Sequence, residues 1–156
     1  MNNYLNFKIV GSGPSGLLLA ISLAKLNFNI YTTDLLTREK LINKDKTYAI
    51  THSTRKILSK FNIWSKLKSY LYKFDSLSIS DSVTSDFTIL TTSDLDKDIC
   101  SLDTIGWVVK HSDLMNVFFD EVDNVDNIFF KSSLDLSFDD ITVSYTHLTL
   151  PTILRV

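Results

Sequence analysis

Gly11, Gly13 and Gly16 stand in the run G-S-G-P-S-G, and a carboxylate, Asp34, follows at about the twenty-residue distance that a ribose acceptor needs. The chain has only four glycines in 156 residues, so three of them serve one turn. That spacing suits the capture of a pyrophosphate. Gly11 permits a tight turn, Gly13 lets the backbone approach an anion with no Cβ between, and Gly16 lets a following helix pack close to the preceding strand. A helix opening here offers free N–H groups and a partial positive charge to phosphate oxygens. Ser12 and Ser15 add N–H or hydroxyl contacts, and Pro14 fits the first helical turn, where its missing N–H costs nothing.

These residues work only if the flanking segments place them. YLNFKIV, residues 4–10, ends in an apolar β-branched pair and reads as a buried strand. After the turn, Leu17, Leu18, Ala20, Ile21 and Ala24 recur at helical spacing. Asn27 falls where that helix must stop, and Asn tolerates the left-handed conformation of many helix ends. FNIYTT, residues 28–33, is a second strand closed by Asp34. The strand–turn–helix–strand unit predicts dinucleotide binding but does not by itself separate NAD from FAD.

Further along, residues 35–46 read as a polar, basic loop in which Arg38, Lys40 and Lys44 are solvated. Residues 47–54 are strand-like. RKILSKFNIWSKLKSYL places Ile57, Leu58, Phe61, Trp64, Leu67 and Leu71 on one face of an amphipathic helix interrupted near Asn62. Residues 74–81, 86–92 and 104–111 read as strands with antiparallel pairing, a helix follows over 112–122, and residues 127–133 return to the parallel sheet.

Bulk composition fits one soluble globular domain: 44% hydrophobic, 22% charged and a net charge of −2. No basic excess points to nucleic acid. The single cysteine, Cys100, excludes an internal disulfide and fits a reducing compartment. His52, His111 and His147 lack metal-ligand spacing with one another or with Cys100, so no metal is expected. The apolar stretch from Gly16 to Leu26, broken by Ser22 and Lys25, is too short to span a bilayer. A cytoplasmic protein is expected, with peripheral contact to the inner membrane left open.

IVGSGPSGLLLA, DKTYAITHSTRKILSKFNIW and IGWVVKHSDLMNVF together resemble the ubiquinone-biosynthesis flavin hydroxylases of the para-hydroxybenzoate hydroxylase group, FAD-dependent aromatic monooxygenases. The resemblance covers about residues 4 to 142. It implies an α/β fold with a Rossmann-like FAD-binding βαβ unit followed by the start of a second, antiparallel sheet, the whole being incomplete in this chain. It also implies FAD as cofactor, NAD(P)H as its reductant and a small aromatic quinone precursor as substrate. Lys46 stands where the family has an arginine that touches the flavin nucleotide; lysine keeps the charge but loses the planar fork. His111 and Ser112 hold the places of an asparagine and an arginine near the flavin ribityl chain, although both also suit the capped start of a helix.

Val143 to Thr152, VSYTHLTLPT, equals one reading frame of a transposase adapter used in sequencing libraries. Residues 143–156 are therefore expected to be a non-native tail, and residues 1–142 the N-terminal part of an FAD-binding domain from a longer monooxygenase, inactive by itself. No catalytic residue is assigned. Two other readings stay open. One is an NAD(P)-binding domain, which a third parallel strand soon after Asp34 would favour. The other is a truncated nucleotide-binding module with no catalysis.

Overall fold

A computed structural model describes residues 6–80, 87–95 and 103–132. The expectations for residues 143–156 and for Cys100 and His147 lie outside these. The parallel unit forms first along the chain: strand β1 (Asn6–Val10), helix α1 (Pro14–Ala24) and strand β2 (Asn29–Asp34). Of the helical stripe in the sequence, Leu17, Ala20, Ile21 and Ala24 are buried, and Leu18 is only partly so. Asn27 stops the helix at φ 63°, a left-handed geometry that Asn adopts at low cost.

The residues after Asp34 contain a short helix, α2 (Arg38–Ile42), where the sequence reads as a loop. The Thr37 side chain caps it by accepting the Lys40 N–H. Arg38 is not merely solvated: it forms an ion pair with Asp123 at 2.7 Å and lies over the Phe119 ring at 4.5 Å. Strand β3 (Thr47–Ile50) follows, then α3 (His52–Lys60) and α4 (Ile63–Leu67), separated by Asn62 at φ 60°. The interruption lies where the sequence places it, but Ile57 is exposed rather than buried.

Strands β4 (Tyr72–Phe74), β5 (Ser76–Ser80), β6 (Phe87–Thr91) and β7 (Gly106–Lys110) precede α5 (His111–Asp123) and β8 (Ile128–Ser132). Among the described residues these strands form three sheets. The parallel sheet has the order β1-β2-β8, with Phe7 opposite Ile30 and Ile30 opposite Ile128. An antiparallel sheet has the order β3-β7-β4, and β5 pairs with β6 in a separate two-stranded sheet. The antiparallel pairing expected among the middle strands therefore holds for β5 and β6, whereas β7 takes β3 and β4 as partners.

The core lies between the parallel sheet and helices α1 and α5. Leu17 and Ile21 from α1, Met115, Phe118 and Phe119 from α5, and Ile30 from β2 are at most 2% exposed. Side chains alternate across a strand, so Ile30 and Thr32 face the helices while Tyr31 faces away. Burying this stripe stabilises by roughly 1.5–3 kcal/mol per large apolar side chain.

Candidate functional site

The glycine turn is built by two backbone relationships. Gly11 has φ +103°, a region that side chains with a Cβ rarely adopt, and its N–H extends the parallel ladder by donating to Thr33 O at 2.8 Å. Gly16, in the first turn of α1, lies against Gly11: a Cβ on it would sit 1.9 Å from the Gly11 carbonyl oxygen. Only glycine permits that approach. Gly13, the N-cap residue, faces open space and makes no side-chain cap. Pro14 follows at the first helical position. No side chain therefore caps the amides of Ser15 and Gly16, as an anion-binding turn requires.

Asp34 holds the turn from the other side. Its Oδ2 accepts the Ser12 N–H at 2.8 Å and its Oδ1 accepts the Leu36 N–H at 2.9 Å. Each carboxylate oxygen has more than one acceptor position, so the pair of backbone bonds leaves room for ribose hydroxyls. Beneath the turn, Ser12 Oγ and Thr32 Oγ1 share a buried hydrogen bond of 2.7 Å. Thr32 was not a candidate from the sequence; its signal is the period of two in β2, which turns it toward the buried side. The Ser12 hydroxyl is thereby committed inside the protein, where the sequence suggested a phosphate contact.

Lys46 and His111 form a second group. The Lys46 carbonyl accepts the His111 N–H at 2.8 Å, tying the start of α5 to the approach to β3. His111 is buried, with Nε2–H donating to Leu41 O at 2.6 Å. That bond requires a proton on Nε2, so in the neutral ring Nδ1 accepts from the Tyr48 hydroxyl at 2.9 Å. Both ring nitrogens are engaged. Burial raises the Tyr48 pKa, which keeps that hydroxyl protonated as a donor. The helix cap expected at Ser112 is absent: Lys110 is the N-cap, without a side-chain bond.

A cavity of about 200 Å³ lies between the start of α1 and β3, with Tyr48, the partner of His111, in its lining. Pro14, Ser15 and Leu18 of α1 form one wall; Tyr48, Ala49 and Ile50 of β3 form the other. Thr54 and Leu58 of α3 and Leu114 and Phe118 of α5 complete it. The glycine turn thus opens onto a mostly apolar slot, and Tyr48 of its β3 wall is hydrogen-bonded to His111. Among the described residues no group of three His, Cys, Asp or Glu side chains comes together to hold a metal. Nor is any helix of the described residues long and apolar enough to cross a membrane.

Comparison with solved structures places this arrangement. A variant of PqsL from Pseudomonas aeruginosa superposes with a TM-score of 0.65 at 11% identity, over 83% of this chain and 34% of that one. The chain shares its fold with flavin-dependent monooxygenases. The p-nitrophenol 4-monooxygenase PnpA from Pseudomonas putida DLL-E4 gives 0.64 at 15% identity, over 85% and 32%. The flavin-dependent monooxygenase PieE, solved in complex with FAD and substrate, gives 0.61 at 10% identity, over 84% and 24%. An uncharacterized protein of Synechocystis sp. (strain ATCC 27184 / PCC 6803 / Kazusa), slr1300, is 31% identical over 80 residues, which are 51% of this chain and 19% of that protein. No protein-family model matches the chain. The chain thus spans about a third of the PqsL and PnpA structures and a fifth of the Synechocystis protein.

Proposed function

We propose that this chain is the FAD-binding part of a flavin-dependent aromatic-ring monooxygenase, of the kind that hydroxylates quinone precursors in ubiquinone biosynthesis. The observation that carries the reading is the contact of Gly16 with Gly11, which aims the uncapped amides of α1 outward while Asp34 waits at the end of β2. The Rossmann-like unit would take the ADP half of FAD. Gly13, Ser15 and Gly16 would offer their amides to the pyrophosphate, Gly11, Ser12 and Pro14 would shape the turn that presents them, and Asp34 would accept the ribose hydroxyls. The slot between α1 and β3 would receive the chain leading to the flavin ring. Lys46 would supply positive charge beside it, and His111 would act through Tyr48 by fixing the slot's wall. Bound FAD, reduced by NAD(P)H, supplies the oxygen chemistry of ring hydroxylation; the protein's part is to bind, orient and exclude water.

Chain topology supports FAD over an NAD(P)-binding domain. After Asp34 the chain runs through α2 into β3, which joins the antiparallel sheet, and the third parallel strand is β8. A dehydrogenase of the nicotinamide type needs that strand soon after Asp34. The ubiquinone assignment rests on the resemblance of DKTYAIT and GWVVKHSDL to those hydroxylases.

The test is calorimetric titration of the folded chain with FAD and with NAD. FAD should bind at least about tenfold tighter, a difference of about 1.4 kcal/mol. Preference for NAD, or failure of a well-folded chain to bind FAD, would sink the proposal.

A further inference from the structure

A second cavity, of about 310 Å³, lies between α3, α4 and the antiparallel sheet, lined by Arg55, Trp64, Lys68, Leu71, Lys73 and Trp107. Its charged residues are all basic. Among the described residues none of the three pairs with a carboxylate, whereas Lys66 on α4 is already engaged by Glu121. A cleft lined by one sign of charge on low-dielectric walls concentrates the opposite charge. Those walls are aromatic. Trp64 and Trp107 meet edge to face at 4.8 Å, and the Arg55 guanidinium lies 5.5 Å and 5.3 Å from their ring centres. Stacked there, Arg55 is held in place while its planar N–H fork can still grip a carboxylate.

We infer that this cavity binds a small aromatic carboxylate, its ring against Trp64 and Leu71 and its anionic group among Arg55, Lys68 and Lys73. The volume argues for size: ligand pockets run from about 300 to 1,000 Å³, so this one takes a small molecule, not a dinucleotide. The cavity is separate from the slot beside the glycine turn. Helix α3 lies between them, giving Thr54 and Leu58 to the slot and Arg55 to this site. The inference therefore stands independently of the FAD reading.

The chain's only two tryptophans both line the cavity, so tryptophan emission reports on it directly. The full chain is titrated with 4-nitrobenzoate, a ring that quenches tryptophan, and in parallel with neutral 4-nitrobenzamide. Expected is saturable quenching by the acid, with a Kd at least about tenfold lower than for the amide. The K68Q/K73Q double variant, altered at two exposed positions, should weaken acid binding by a similar factor while its circular dichroism and melting temperature stay unchanged. Equal affinity for acid and amide, or quenching that never saturates, would overturn the site using the unaltered protein alone. Unchanged acid binding in a folded K68Q/K73Q would overturn it as well.

Discussion

Gly16 and Gly11 are in backbone contact across the turn, so close that a methyl group on Gly16 would lie 1.9 Å from the Gly11 carbonyl oxygen. The neighbour is backbone and cannot swing aside like a side chain. Any residue larger than glycine must push α1 away from β1 or unwind its first turn, and either movement redirects the uncapped amides at the start of α1.

Gly16→Ala should therefore cost about 1–3 kcal/mol of stability, the range for overpacking, and should weaken FAD binding by more than tenfold. Thermal unfolding and calorimetry check the two parts. A variant with normal melting and normal FAD affinity would show that the turn does not hold the ligand.

Asp34 has one oxygen on the Ser12 amide and the other on the Leu36 amide. In Asp34→Asn one oxygen becomes an NH2 group, which meets an N–H donor head-on. Losing a hydrogen bond to a charged group costs about 1.5–3 kcal/mol. Stability should fall by that order and FAD affinity by roughly 10- to 100-fold. Urea denaturation beside FAD titration separates the effects; a drop in stability with undiminished affinity would confine Asp34 to holding the turn.

Tyr48 links pH to the wall of the slot. Burial raises its hydroxyl pKa above the usual 10.0, so folding favours the protonated form. Its contribution is fully present below about pH 10 and is lost as pH rises through the higher folded-state value. Tyr48→Phe leaves His111 Nδ1 without its donor and should cost about 1–3 kcal/mol at neutral pH. The gap between variant and parent should narrow above about pH 10, as measured by urea midpoints at the two pH values. A gap that stays constant would show that the hydroxyl does not titrate against the fold.

Tyr31 and Phe129 stack at 5.1 Å on the face of the parallel sheet turned away from the helices, where they are 44% and 47% exposed. Val10, 60% exposed, lies on the same face beyond Lys8, which stands opposite Tyr31, so the aromatic pair is the apolar surface open to self-association. The Tyr31→Thr/Phe129→Thr pair should lower the sedimenting mass at high protein concentration with unfolding shifted by less than about 1 kcal/mol, because cross-strand pairs are worth about 0.2–1. Identical sedimentation would exclude the patch as a contact surface.

Much of this was legible in the sequence. Glycine spacing announced the turn, because each glycine answers a local steric need, and the apolar stripe of α1 fixed its buried face. Asn27 and Asn62 marked helix ends through their tolerance of left-handed backbone. What escaped was non-local. Arg38 reads as solvated until Asp123 and Phe119 arrive from α5. Thr37 is an ordinary loop residue until the helix it caps exists. The family resemblance places His111 near the flavin ribityl chain, yet its ring is claimed by Tyr48 and Leu41, two partners that only the packing of β3 and α2 on α5 could reveal. The partners of β7 were hidden for the same reason, since period-two patterning names strands without saying which ones meet.

The order β1-β2-β8 also has a consequence in time. β1 and β2 leave the ribosome early, but β8, which covers the second edge of β2, is made only after both antiparallel sheets. Until then the glycine turn stands on a two-stranded ribbon, which is marginal in water. Pairing between segments so far apart in the chain is slow to form and leaves open strand edges meanwhile. Completion of the parallel sheet, and with it of the support for the glycine turn, therefore waits on residues 128–132.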